Sequence, residues 1–480
     1  MVESTGNVIA GRRREALRGL SRDNLEPATG RVLSRVAVSR GDDVDEACAD
    51  ALAAARRWGE LEVSERQARL QAWAHALRVE SDSLALMDAR DSGTPHRTMV
   101  TGVRKGADYV DYFAALARDV KGETIPATRA NLHFTMRQPY GLTVLILPFN
   151  HPAFFAISKT APALAAGNTV VVKPAEQTPM TAERIALLAA GTLGEGVYNI
   201  VQGDAETGQA LVKHPDVWRL HFTGSVRTAL AIQAGAAASG QIKRITMELG
   251  GKNPMIVYPD VDVDVAARDA VEGMNFTRNQ GQSCGSTSRL FLHRSLYEPV
   301  TRKIVERLEP IKLGLPEDPA TQMGSLVSRA QQERVLEYVR SGVDEGARLR
   351  AGGRAPDGEL ASGAFVMPAL LDEVSSTMRV AREEIFGPVL SVIPWDDEDM
   401  MFDAVNDSAY GLAAAVYARD VSTALNAARR VEAGYVWVNG VETRWPAVPF
   451  GGWKNSGMGT EHSMEELLSY SQLKAVNVLV

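Results

Sequence analysis

An alternation of short strands and helices constrains this chain more than any other feature. Residues 142–147, 169–172, 198–201 and 219–222 are short β-rich runs. Between them, residues 181–190, 206–213 and 226–238 read as helices. This pattern predicts a parallel sheet covered by helices. A second α/β series runs from Met255 through 289–293 to 436–439 and predicts a second lobe. Upstream, Val44, Ala47, Cys48, Ala51, Ala55 and Trp58 fall on one stripe of a helix over 42–58. Ser64 with Gln67 three residues later reads as a capping box opening another helix, with Leu70, Trp73 and Leu77 as its buried face. Residues 123–138 are turn-rich and end in polar/apolar alternation, the pattern of an exposed hairpin that needs a partner surface.

A length of 480 residues fits two or three domains at roughly 150 residues each. With 45% hydrophobic and 23% charged residues, the chain reads as a soluble globular protein. Its net charge of -7 argues against nucleic acid or an anionic membrane as partner. Two distant cysteines, Cys48 and Cys284, form no disulfide framework, and no Cys/His cluster points to a metal. A reducing, cytoplasmic compartment fits best. The N-terminus lacks an apolar core, so no signal peptide is expected. Pro148, Asn150, His151 and Pro152 interrupt the most apolar stretch, which therefore does not read as a membrane span.

Chemistry-bearing residues gather at predicted strand ends. Asn150, Lys173 and Ser225 each follow a strand, where ligand crevices lie in open α/β sheets. Gly224-Ser225 opens a helix; it can admit a phosphate or serve as an ordinary helix cap. Lys173 and Glu176 flank Pro174; they either bind a ribose or decorate a surface loop. Cys48 sits in an apolar stripe and reads as a small core residue. Cys284 instead sits in a small, polar, Gly-flanked loop, Gln280-Gly281-Gln282-Ser283-Cys284-Gly285, which suits either a nucleophile or a structural thiol. Glu248, beside Gly250 and Gly251, is a general base if partly desolvated, or a plain strand-end carboxylate.

Together these pieces resemble the aldehyde dehydrogenase superfamily, from Asn24 to the C-terminus. The blocks are Pro148-Phe149-Asn150, Lys173-Pro174-Ala175-Glu176, Phe222-Thr223-Gly224-Ser225 and Glu248-Leu249-Gly250-Gly251-Lys252. They continue with Gly281-Gln282-Ser283-Cys284, Glu383-Glu384-Ile385-Phe386-Gly387-Pro388 and Pro449-Phe450-Gly451-Gly452-Trp453-Lys454. The resemblance implies an α/β fold with two Rossmann-like lobes and a small β oligomerisation arm. It implies a cofactor-binding domain over 1–119 and 139–246, a catalytic domain over 247–440, and an arm over 120–138 and 461–480. It implies Cys284 as nucleophile, Asn150 as oxyanion donor, Glu248 as base, and Lys159 with Glu461 as a proton relay. Leu147, Pro148, Lys173, Glu176, Gly224, Ser225, Leu249, Glu384 and Phe386 would hold NAD, with NADP possible. A homodimer or homotetramer follows from the arm.

Departures from the family pattern, at His151, Ala229 and Thr460, bear on substrate fit and cofactor preference and remove no catalytic group. Phe154, Phe155, Arg278, Arg444 and Trp445 are the implied substrate-tunnel residues. Arg278 resembles the succinate-semialdehyde branch, where an Arg binds the substrate carboxylate; the competing reading pairs it with a nearby acid. Ser158 stands at a second tunnel position where that branch has another Arg. Phe154 and Phe155 suit an uncharged or aromatic aldehyde instead. Two rival classes remain: a CoA-acylating dehydrogenase, which would lack the base that Glu248 matches, and a non-catalytic relative, which would have lost Cys284, Glu248 or Asn150.

Overall fold

In the computed structural model, which describes residues 3–479, the predicted strands form at Leu142–Ile146, Thr169–Lys173, Tyr198–Ile200 and Arg219–Thr223. Arg244–Glu248 joins them, and all neighbours in this set are parallel. Across the sheet they run Tyr198–Ile200, Thr169–Lys173, Leu142–Ile146, Arg219–Thr223, Arg244–Glu248. The winding reverses between Leu142–Ile146 and Arg219–Thr223, which opens a crevice at their carboxyl ends. Antiparallel strands close both edges: Gly457–Met458 on one side, and Asn7–Ile9 with Arg12–Arg14 on the other.

The central strands are apolar throughout because both faces are covered. Val170 and Val172 enter one core with Trp73 and Ile185, while Val171 enters the other with Cys48 and Leu211. The helix Gly41–Gly59 buries the predicted stripe, with Ala54 rather than Ala55 on its inner face. Cys48 is fully buried, and desolvation pushes its thiol up to about 12. The helix Val63–Val79 buries Leu70, Trp73 and Leu77 as expected. Its capping box does not form. Glu62 is the N-cap, two residues ahead of Ser64, which already lies inside the helix, and Gln67 accepts instead from Arg118 Nε at 2.7 Å.

A second sheet runs Arg348–Ala351, Ala369–Asp372, Val389–Trp395, Arg289–His293, Pro254–Val257, Ala413–Tyr417, Tyr435–Val438. All its pairs are parallel except the first, an edge hairpin. The segment 123–138 forms the predicted hairpin, Thr124–Ile125 against Asn131–Pro139. Its partner is the strand Ser471–Leu479, antiparallel to Asn131–Pro139 along its length. Residues 461–470 do not join this arm: the helix Met464–Ser469 sinks Leu467, followed by Tyr470, into the core beside Trp73. Val480, like Met1 and Val2, lies outside the described residues. Among the described residues, no helix is long and apolar enough to cross a membrane, and no group of His, Cys, Asp or Glu is placed to hold a metal ion.

Candidate active site

The polypeptide leaves Leu142–Ile146 through Leu147, Pro148 and Phe149, and reaches Asn150 at the crevice. The helix Pro152–Ser158 begins just beyond, its first turn tied down by Asp88, whose Oδ2 accepts from the Ala153 amide at 2.9 Å. Asn150 is buried, and its Nδ2 donates to the Gln282 carbonyl at 2.9 Å. That contact uses one of the two amide hydrogens and leaves the other free to meet a ligand.

Cys284 hangs on a loop whose backbone is tightly specified. Asn275, Gln280 and Gly281 take left-handed φ values of 63°, 58° and 69°. A Cβ at Gly281 would stand 2.4 Å from the Gly387 carbonyl, so only glycine fits. Asn279 Nδ2 donates to the Gln282 carbonyl at 2.9 Å, and Asn253 Nδ2 to the Cys284 carbonyl at 2.7 Å. The sulfur is thus held at a fixed point, sharing one cavity wall with Glu248 and another with Arg444. Burial and then Glu248 push the thiol well above its ordinary range, while Arg444 acts in the opposite direction.

Glu248 ends its strand 3% exposed, with Oε1 lacking a hydrogen-bond partner. Burial raises its carboxyl, and Lys159 opposes the rise. Lys159 and Glu461 form an ion pair in which both side chains are buried. Burial works against the Lys159 charge, but Glu461, Glu248 and Glu466 outweigh it and hold the ammonium protonated. His221 approaches Glu461 at 3.6 Å and is kept neutral by its burial. His221 and Glu466 carry no local motif, and sequence reasoning missed both.

Two cavities meet at Cys284, Asn150 and Phe155. The larger, of ≈ 750 Å³, follows the crevice of the first sheet. Leu147 and Pro148 line one wall and Leu249 another. Lys173 and Glu176 stand at one end, where burial brings the Lys173 ammonium down to about 8. Gly224 and Ser225 open the helix Val226–Ala238 onto the cleft. Ser225 is its cap, accepting from the Thr228 amide at 3.2 Å. Glu384 reaches across from the second lobe to accept from the Gly251 amide at 2.9 Å. Its carboxylate fills the space over Gly250, where a Cβ would come within 2.3 Å of Oε2. Burial brings its carboxyl to about 7. Phe386, at φ 57°, packs edge-on against Phe149 with centroids 5.6 Å apart.

The smaller cavity, of ≈ 350 Å³, contains Phe154, Phe155, Arg278 and Arg444. Trp445 does not line it: the chain turns from Trp445 to Val448, and the ring is left 63% exposed. Ser158 is buried behind the helix and does not reach the cavity. Arg278 does have an acid partner, Glu442, at 3.1 Å, and still stands in the cavity wall. Arg97, Lys105, Tyr109, His151, Glu442 and His462 also stand in the wall and were not legible as a group in the sequence. His151 accepts from Asn279 Nδ2 at 3.1 Å, and burial lowers its imidazole to about 3, so it enters as a neutral ring.

Fold, crevice and converging cavities define an oxidoreductase, and residues 18–476 match the aldehyde dehydrogenase family, to which this chain belongs. It is 42% identical over 466 residues to the aldehyde dehydrogenase tropH of Talaromyces stipitatus, covering 95% of this chain and 90% of that one. The NAD+ complex of an aldehyde dehydrogenase from Bacillus cereus superposes with a TM-score of 0.96 at 36% identity, covering 100% and 97% of the two chains. A γ-glutamyl-γ-aminobutyraldehyde dehydrogenase from Burkholderia cenocepacia gives 0.95 at 39% identity with the same coverage.

Proposed function

We propose that this enzyme oxidises an aldehyde to the carboxylic acid with NAD, through a thioester on Cys284. The observation that carries the reading is the meeting of two cavities at one cysteine, with Asn150 and Glu248 beside it. The longer cleft fits a dinucleotide: a cation and a carboxylate at one end, a helix N-terminus midway, and the Glu384 carboxylate near the sulfur. NAD, when bound, supplies the hydride acceptor. Cys284 attacks the aldehyde carbon, and the free Asn150 amide hydrogen with the Cys284 backbone N–H holds the resulting oxyanion. Glu248 later takes a proton from the water that cleaves the thioester, and Lys159 with Glu461 carries that proton away. We also assign the cofactor-binding lobe to 1–119 and 139–246 and the catalytic lobe to 247–440, in a reducing compartment that leaves both thiols free. The arm sheet, with Leu132, Met136 and Leu473 exposed, would join subunits into a dimer or tetramer.

For the substrate, charge decides. The smaller cavity presents Arg97, Lys105, Arg278 and Arg444 against one acid, Glu442, and its two histidines are neutral. Glu442 is committed to Arg278, which leaves the partly buried Lys105 ammonium as a free anchor for an anion. An aldehyde with a distal carboxylate fits this balance. A second reading, an aromatic aldehyde, rests on Phe154 and Tyr109, whose rings meet edge to face at 6.1 Å. The comparison to run is kcat/KM for succinate semialdehyde, butanal, benzaldehyde and betaine aldehyde, in wild type, Lys105→Met and Arg278→Leu. Succinate semialdehyde should lead and betaine aldehyde trail. The semialdehyde-to-butanal ratio should fall about tenfold without Lys105, the size of one charge-assisted contact. An unchanged ratio in both variants, or benzaldehyde in the lead, rules out the carboxylate reading.

A further inference from the structure

The Cys284 thiol faces charged groups from several elements. Glu248 comes from the end of Arg244–Glu248, Glu384 from the loop after Arg379–Arg382, and Arg444 from the loop after Tyr435–Val438. Lys159 lies behind Glu248 and neutralises part of its charge. Across the substrate cavity stand Arg97, Lys105, the Arg278–Glu442 ion pair, Tyr109, and the neutral rings of His151 and His462. Two carboxylates beside a desolvated sulfur keep its proton on, and Arg444, in the same cavity wall with its guanidinium against Gly285 next in the chain, is the cation that opposes them.

Its position is built rather than incidental. The guanidinium lies over the Phe450 ring, 3.9 Å from the centroid. Phe450 is fully buried and bridged on both sides to the Glu461 backbone. On its other flank the guanidinium occupies the hollow left by Gly285, where a Cβ would stand 2.5 Å from Nη2. The acid on its own loop, Glu442, is taken by Arg278 and Asn275. Stacking fixes the planar fork and keeps the charge from swinging into solvent.

We propose that Arg444 is a further catalytic residue, whose guanidinium holds Cys284 as the thiolate before the aldehyde arrives. This rests on Cys284 being the nucleophile. The Sγ–H bond breaks, the electron pair stays on Sγ, and the proton moves to the Glu248 carboxylate. The sulfur then faces a cation and a neutral acid instead of a carboxylate. The proton on Glu248 must pass to the Lys159–Glu461 pair before Glu248 can serve as base in thioester hydrolysis.

The test uses the full-length enzyme and iodoacetamide, an uncharged alkylating agent that reads thiolate and ignores substrate charge. The rate of alkylation at Cys284, located by mass spectrometry, is followed against pH in wild type, Arg444→Met and Gly285→Ala. Arg444→Met should raise the midpoint by about one pH unit or more. It should also cut kcat/KM for butanal, which carries no charge, by about tenfold or more. Gly285→Ala keeps the charge but pushes the guanidinium off the sulfur, and should move the midpoint in the same direction. The new Cβ meets only the tip of a flexible side chain, so this variant decides the matter should Arg444→Met not fold. A wild-type midpoint in the variants that fold overturns the role of Arg444. Turnover retained by Cys284→Ala would instead remove the nucleophile on which the proposal stands.

Discussion

Replacing Cys284 by Ala should cut NADH formation by at least about a hundredfold while NAD still binds, because covalent capture precedes hydride transfer. Steady-state assay beside a cofactor titration separates the two effects, and retained turnover would assign the chemistry elsewhere. At the other end of the cleft, Glu176 can accept from ribose hydroxyls and would repel a 2′-phosphate, so NAD should be preferred over NADP. Equal kcat/KM for the two cofactors would contradict that. Individual residues were legible where composition and place disagreed. Cys48 sits in an apolar stripe, and Cys284 in a loop of small polar residues; the structure buries the first and opens two cavities onto the second. Lys105 and Glu442 were not legible, because the wall they share with Arg278 is assembled from two helices and a loop far apart in the chain.

The short helix Pro152–Ser158 positions the Asn150 side of the site, and Asp88 pins its first turn. The other carboxylate oxygen of Asp88 accepts from the Thr181 hydroxyl. Burial raises this carboxyl from 3.8 to about 7. The native state therefore keeps a proton that the unfolded chain releases, and the stability this contributes is lost as pH rises through about 7. Thermal unfolding of wild type and Asp88→Asn should diverge accordingly: the Asn variant should gain roughly 2 kcal/mol relative to wild type between about pH 5 and pH 8. A pH-independent difference would show that Asp88 ionises normally. In the arm, Leu473→Glu should weaken subunit association, read as a lower sedimentation coefficient at the same protein concentration. An assembled wild type and variant of identical size would free the arm of that role. Strands such as Thr169–Lys173 were legible because burial on both faces demands unbroken β-branched runs. The opening of Val63–Val79 was not, since Ser64 and Gln67 carry a capping signature, yet the helix takes its N-cap two residues upstream, at Glu62.

At the scale of the molecule, the strands of the first sheet and the segments that follow them carry Asn150, Lys159 and Glu248, segments that join or follow strands of the second sheet carry Cys284, Glu384 and Arg444, and Glu461 returns from the C-terminal segment. Seven motif blocks in order made that convergence legible before any contact was known. The charge balance of the substrate cavity was not, because an ion pair such as Arg278–Glu442 exists only once the lobes' loops have folded. The most direct test of the thioester route is a single turnover of Glu248→Gln with NAD and aldehyde, read by NADH release and intact-protein mass spectrometry. A burst of about one NADH per active site, with an acyl group carried on Cys284 and slow decay thereafter, is the result this account requires. Wild-type steady-state turnover with no acyl adduct would contradict it.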